Sequence, residues 1–117
     1  MDSIDVIELA NMRLSMLKLE QSVLAKNIAG IGTPKEVNFS HVLAQLDNLS
    51  PEEKSNFVQQ VNNDIELFAE FKSIDANEIS ADELVAESLI VSGKYKSLAE
   101  GLNRKLDLLK TAIVGNR

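Results

Sequence analysis

The side chains able to do chemistry are few and scattered. His41 is the only histidine, and there is no cysteine. A metal centre of imidazole or thiolate type needs several such ligands converging. His41 has no acid one helical turn before or after it, so it reads as a surface or half-buried residue. Any serine–histidine–acid arrangement would have to use His41, and no nucleophile-elbow sequence surrounds a serine. The carboxylate groups that stand together are Glu52-Glu53 and the set Asp82, Glu83 and Glu87. Both open a helical pattern, where a negative charge stabilises the exposed amide end of the helix without any acid–base role. Carboxylate-bridged metal bundles use Glu-x-x-His pairs, and none occurs. Gly30-x-Gly32 is too short for a phosphate loop and follows no strand. The residues therefore predict a protein that is not an enzyme and that has no cofactor and no metal ion.

Composition narrows the partners. The chain has 117 residues, with a formal net charge of -6. Nucleic-acid binders carry a basic patch or stripe on a basic domain, so no nucleic acid is expected. No stretch reaches the roughly 18 uninterrupted apolar residues of a membrane helix, so no membrane insertion is expected. The opening residues Met1-Asp2-Ser3-Ile4-Asp5 have neither the basic nor the apolar region of a cleavable signal peptide. Charge is unevenly spread. Asp64 to Glu87 holds eight acids and one base, whereas Lys94 to Arg117 holds six bases and two acids. Two solvated helix faces account for this; complementary surfaces that meet between copies are the sharper reading.

Hydrophobic residues make up 44% of the chain but aromatic residues only 4%. Leu, Ile, Val and Ala in that balance suit packed helices better than a sandwich or barrel. The apolar spacing predicts a helix from Ser3, its N-cap, to Ala29. Ile7, Ala10, Leu14, Leu17, Gln21, Leu24 and Ile28 alternate at three and four residues, a heptad-like seam. Leu9, Met12, Met16 and Val23 widen the stripe, and Met12 and Met16 read as core. Gly30-Ile31-Gly32-Thr33-Pro34 ends the helix, with either glycine suited to the left-handed cap. A second helix is predicted over Phe39–Leu49 with Asn38 as cap. A third begins at Ser50-Pro51-Glu52-Glu53, a capping-box sequence, and carries Phe57, Val58, Val61, Ile65, Phe68 and Phe71. Asn62-Asn63-Asp64 marks a kink or split in it. Residues 73–80 are a connector.

The last helix starts at a second capping box, Ser80-Ala81-Asp82-Glu83, and runs to about Val114. Leu84, Val91, Tyr95, Leu98, Leu102, Leu106, Leu109 and Ile113 recur along it, and Gly93 and Gly101 interrupt it. No segment alternates with period two for long enough to predict a strand. The expected architecture is all-α: two long terminal helices packed in coiled-coil or bundle fashion, with shorter helices between. The expected domain is single, covering 1–117, with helical parts at 1–30, 38–73 and 80–114.

The segment Leu24-Ala25-Lys26-Asn27-Ile28-Ala29-Gly30-Ile31-Gly32-Thr33-Pro34 resembles the N-terminal motif of bacterial flagellar rod and hook proteins: Ala-x-Asn-Ile-Ala, three residues, then Thr-Pro. Ala25, Asn27, Ile28, Ala29, Thr33 and Pro34 occupy those places. In such a motif small alanines allow close packing, Asn27 can bond a neighbouring backbone, and Thr-Pro fixes the exit turn. Tyr95-Lys96-Ser97-Leu98, Leu102 to Leu106 and Leu109 to Ile113 are similar to the closing helix of the proximal rod subunit. Val37-Asn38-Phe39 through Leu43 also resembles the stretch that follows Thr-Pro. The likeness covers about the first 45 and the last 35 residues. The chain departs from the family in following Pro34 with Lys35-Glu36-Val37, where Gly-Tyr-Lys is usual, and in its short helical middle.

The resemblance implies a structural subunit of the flagellar basal-body rod. It implies export without signal cleavage through the flagellar type III apparatus, and assembly in the periplasm with copies of itself and with other rod and basal-body proteins. Family members build a coiled-coil-like inner layer from their terminal helices. The assembly residues expected on that basis are Leu14, Leu17, Leu24, Asn27 and Ile28 on the first helix and Tyr95, Leu98, Leu102, Leu109 and Ile113 on the last. The residues also admit a different class of protein: a soluble four-helix adaptor or chaperone of a secretion system that holds a partner helix in a groove.

Overall fold

The first helix carries two apolar stripes, and each stripe finds its own partner. A computed structural model describes the backbone of residues 3–75 and 77–115 and the side chains of residues 6–75 and 77–112. The elements in chain order are α1 (Ser3–Ala29), β1 (Lys35–Asn38), α2 (Ser40–Asp47), α3 (Pro51–Asn63), α4 (Ile65–Phe68), β2 (Glu70–Ser73) and α5 (Ala81–Gly115). The molecule is mainly helical, with α1 packed against α5 and one small sheet.

Met12 and Met16 lie one turn apart and are fully enclosed, at 0% and 2% exposure. They enter a core with Phe39, Val42, Leu46, Phe57, Val58 and Val61 from the α2–α3 region. Their expected place in the core is thus observed. Phe57 and Phe68 meet edge to face, centroids 5.8 Å apart, the arrangement that ring quadrupoles favour. At the rim, Ser55 Oγ donates to Glu8 Oε2 at 3.1 Å, tying α3 to α1. The other stripe of α1 supplies Leu17 and Leu24 to a second core with Leu84 and Val91 of α5, flanked by Ile79, Tyr95 and Leu98.

The molecule measures 60 × 28 × 19 Å. α5 alone, at 35 residues, spans about 52 Å, so α1 must lie beside it rather than beyond it. The C-terminal part of α1, with Glu20, Leu24 and Asn27, lines one cleft with the start of α5, at Glu83, Leu84 and Glu87, and α5 then continues alongside α1. The two helices therefore run antiparallel.

Local chemistry sets the element ends. Gly30 and Gly32 both have φ of +70°. The Gly30 N–H donates to the Asn27 carbonyl at 3.2 Å and the Ile31 N–H to the Lys26 carbonyl at 2.9 Å. That pair of bonds around a left-handed glycine is a Schellman closure, which satisfies carbonyls the helix end leaves open. The expected capping box at α3 is present. Glu53 N–H donates to Ser50 Oγ at 3.4 Å, and Ser50 N–H donates to Glu53 Oε1 at 3.3 Å. The Ser50 hydroxyl adds a 2.7 Å bond to the same carboxylate. These bonds hold the Glu53 carboxyl below its ordinary pKa, because they favour the ionised form. At α5 the Ser80 hydroxyl accepts from the Glu83 N–H at 3.1 Å. The Ser3 cap lies outside the described side chains.

The expectation of an all-α chain is corrected. β1 and β2 form an antiparallel pair, Val37 opposite Phe71 and Lys35 opposite Ser73. Four residues per strand are too few for a period-two signal to stand out. The predicted helical region 38–73 is accordingly broken. α2 begins at Ser40, with Phe39 in the cap position and no side-chain cap. Asn38, the expected cap, belongs to β1, and its side chain accepts the Ser40 N–H at 2.6 Å. The third helix stops at Asn63, where Asp64 leaves helical geometry at φ -149° and ψ 67°, so the Asn62–Asp64 signal marks a true split. Phe71, expected on that helix, lies instead on β2 and is exposed.

Truncating Met12 removes a side chain with no room to collapse around it. Met12→Ala is expected to lower the unfolding free energy by about 2–5 kcal/mol. Leu67→Ala, at a site 74% exposed, should stay within about 0.5 kcal/mol. Urea denaturation of the two variants checks both.

Candidate assembly surface

Asn27 is the one polar side chain buried among the described residues, at 9% exposure. Its amide donates to the Lys35 carbonyl at 2.7 Å, and its Oδ1 accepts the Lys35 N–H at 3.1 Å. One side chain thus satisfies both backbone groups of the first residue of β1. This clamp closes the Gly30–Pro34 turn and fixes where the chain leaves α1. The Pro34 carbonyl then accepts the Ile74 N–H at 2.9 Å, extending the sheet pairing past Lys35. Asn is suited to this task because its amide presents a donor and an acceptor side by side. The anticipated bond from Asn27 to a neighbouring backbone is therefore present, and it is double.

The other motif residues are placed differently. Ala25, Ala29 and Thr33 are exposed and Pro34 is half-buried. Within the chain neither alanine is part of a core. Ile28 is 45% exposed and belongs to neither core.

Among the expected assembly residues, Leu17 and Leu24 are buried in the α1–α5 core. Leu14, Tyr95, Leu98, Leu102 and Leu109 are half-buried. Leu106, read as part of the same row, is 43% exposed. Ile113 lies outside the described side chains. The structure thus brings part of the two predicted seams together within one chain: Leu17 and Leu24 of α1 with Tyr95 and Leu98 of α5. His41 Nδ1 lies 3.2 Å from Glu70 Oε1, both exposed; the acid comes from β2 and was invisible in the sequence around His41. Surface pairs of this kind contribute little.

Where α1, the sheet and the start of α5 meet, a cleft of about 420 Å³ opens. Val23, Leu24, Ile74 and Leu84 contribute apolar walls, and glutamates 20, 36, 78, 83 and 87 contribute acid. Burial pushes the Glu20 carboxyl above its ordinary value, opposed by Lys94 and Arg13 and reinforced by Glu87. Sequence reasoning missed this cleft because its residues come from four separate segments. It also missed an outward apolar face on α5: Val85 is 47% exposed, Leu89 69% and Ile90 58%. The signal is present, since Val85 and Leu89 are one turn apart, but the longer seam on the opposite face dominates the periodicity of the helix.

No described helix is long and apolar enough to cross a membrane, and no described cluster of acidic and histidine side chains is suited to hold a metal ion. No protein-family model, curated protein or solved structure matches the chain.

Two outcomes follow. Asn27→Ala removes both bonds to Lys35 and is expected to lower the unfolding free energy by about 1–3 kcal/mol, read from urea denaturation. For Glu20, a folded-state pKa raised above the unfolded value means the proton is held more tightly in the fold. Its contribution to stability is full below the unfolded value of 4.5 and is lost as pH rises through the folded value. Glu20→Gln should therefore melt higher than the parent at pH 7, and the difference should disappear below pH 4.5. A parent that melts higher at neutral pH would contradict burial as the dominant cause.

Proposed function

We propose that this protein is a structural subunit of the bacterial flagellar basal-body rod. It joins other copies and other rod proteins through the helices α1 and α5, after passage through the flagellar export apparatus with its leading segment retained. The observation that carries this reading is the Asn27 clamp. The motif Ala25 to Pro34 resembles that of rod and hook proteins, and its one buried polar residue fixes the exit of α1 by two bonds to Lys35. A motif of this kind sets the angle between a long packing helix and the segment after it. In a tube built from identical helices that angle must be the same in every copy.

The open flanks of the α1–α5 pair support the same reading. Leu14, Tyr95, Leu98, Leu102 and Leu109 retain exposed surface, which further helices in a tube wall would cover. A tube requires heterologous contacts, so each copy needs two different faces. The basic C-terminal part of α5, with Arg104, Lys105 and Lys110, and the acidic cleft beside α1 are such faces.

A second reading draws on a specific observation. Both stripes of α1 are already buried within the chain, as in a closed adaptor or chaperone of a secretion system. In that case the cleft between Leu24 and Leu84 receives a partner helix.

Leu102→Asp separates the two. In a motile bacterium expressing the variant, the rod reading expects continued secretion of the protein and loss of its incorporation into basal bodies, scored on purified basal bodies. Normal basal bodies containing the variant would overturn the rod reading. Retention of the parent protein in the cytoplasm, bound to an exported client, would favour the adaptor.

A further inference from the structure

The face of α5 opposite its seam with α1 leaves an apolar surface unpartnered. Val85, Leu89 and Ile90 are 47%, 69% and 58% exposed, and they fall within two turns. Scattered exposed apolar residues are ordinary, but a contiguous group rimmed by charge marks an interaction surface. Ala86 and Gly93 lie between them on the same face, and a Cβ built on Gly93 meets nothing within 4 Å. Small residues at those positions let a second helix come close.

The charges on this face are arranged with a sense of direction. Asp82 precedes the apolar group and Lys96 follows it. A helix laid across it in parallel would set acid against acid and base against base. The same helix laid antiparallel, with its centre at Leu89, sets Asp82 opposite Lys96, because each stands seven residues from Leu89. It also sets Val85 opposite Gly93 and Leu89 opposite itself. At 100° per residue, Asp82, Leu89 and Lys96 fall within about 40° of one another on one stripe. In an antiparallel pair related by a two-fold axis the Asp82–Lys96 contact therefore forms twice, once on each side of the axis.

We propose that two copies of this chain pair antiparallel through the outer face of α5, about a two-fold axis at Leu89. The contact is isologous: each copy presents one patch that complements itself. It uses the side of α5 that α1 does not cover, so the pairing leaves the internal fold intact. This goes beyond the rod reading and does not rest on it.

The test uses the whole chain in solution by sedimentation equilibrium and cysteine cross-linking. The parent protein should sediment as a dimer at micromolar concentration and low salt. Leu89→Glu, at an exposed site, should sediment as a monomer with an unchanged circular dichroism spectrum. Lys96→Glu should weaken the dimer about tenfold, and adding Asp82→Lys should recover it, since the reversed pair restores opposite charges. The chain has no cysteine, which makes the cross-link unambiguous. Leu89→Cys should yield a disulfide-linked dimer on mild oxidation, because the axis brings the two sulfurs within reach. Glu100→Cys should not, because the antiparallel arrangement sets its two copies about 33 Å apart. A parent protein that stays monomeric, or a dimer that survives Leu89→Glu, overturns the proposal. Neither result bears on rod incorporation of Leu102→Asp, so the two readings stand or fall separately.

Discussion

Everything in this fold is attached to α1, and the constraint on α1 is that it must be apolar on two sides at once. Met12 and Met16 face the α2–α3 region; Leu17 and Leu24 face α5. The two cores share no buried residue, and α1 is the wall between them. An isolated helix of this length would gain little from either stripe in water. Burying both makes α1 the fixed element, while the others are positioned by what they place against it. The charged and polar residues of α1 are confined to the narrow strips left over, which is why Glu20 is partly buried and Glu8 is drawn into bonds with α3.

The Asn27 clamp gives that fixed element a defined exit. Without it, the left-handed glycines 30 and 32 would leave the turn free to choose among several paths. With it, Lys35 is held as the first residue of a strand, and the two-stranded sheet forms beside the end of α1. The cleft lined by Leu24, Leu84 and the glutamates is a product of that placement. So is the position of α5, since β2 leads directly into the connector that precedes it.

The long helices, the serine caps of α3 and α5 and the glycine closure of α1 were legible in the sequence because each rests on a local rule: heptad spacing, a Ser-x-x-Glu box, a glycine after the last apolar position. Met12 and Met16 were legible as core on spacing alone. What could not be read was pairing between distant segments. β1 and β2 are four residues each, and neither alternates long enough to announce a strand. Phe71 looked like the next rung of a helix because Phe57, Val61, Ile65 and Phe68 precede it at helical spacing. Asp64 breaks that helix by adopting a non-helical backbone, and a chain past such a break no longer inherits its period. The Glu70 beside His41 and the walls of the cleft were hidden for the same reason. Leu17 and Leu24 were legible as seam residues from their spacing and Asn27 as a side chain able to bond a neighbouring backbone, whereas Ile28, on the same seam, faces solvent.

The unequal attachment of the two long helices has an energetic consequence. α1 is gripped on two sides, but α5 is held along one side by one helix, and its glycines at 93 and 101 reduce its intrinsic helicity. Opening of the molecule is therefore expected to be graded. α5 can detach in a sub-global event that spares the core around Met12 and Met16, whereas releasing α1 requires breaking both cores. The free energy of the first event must be lower than that of complete unfolding. Amides in α5 then exchange through a cheaper excursion than those of α1, and the longest helix in the chain is also the one held in reserve.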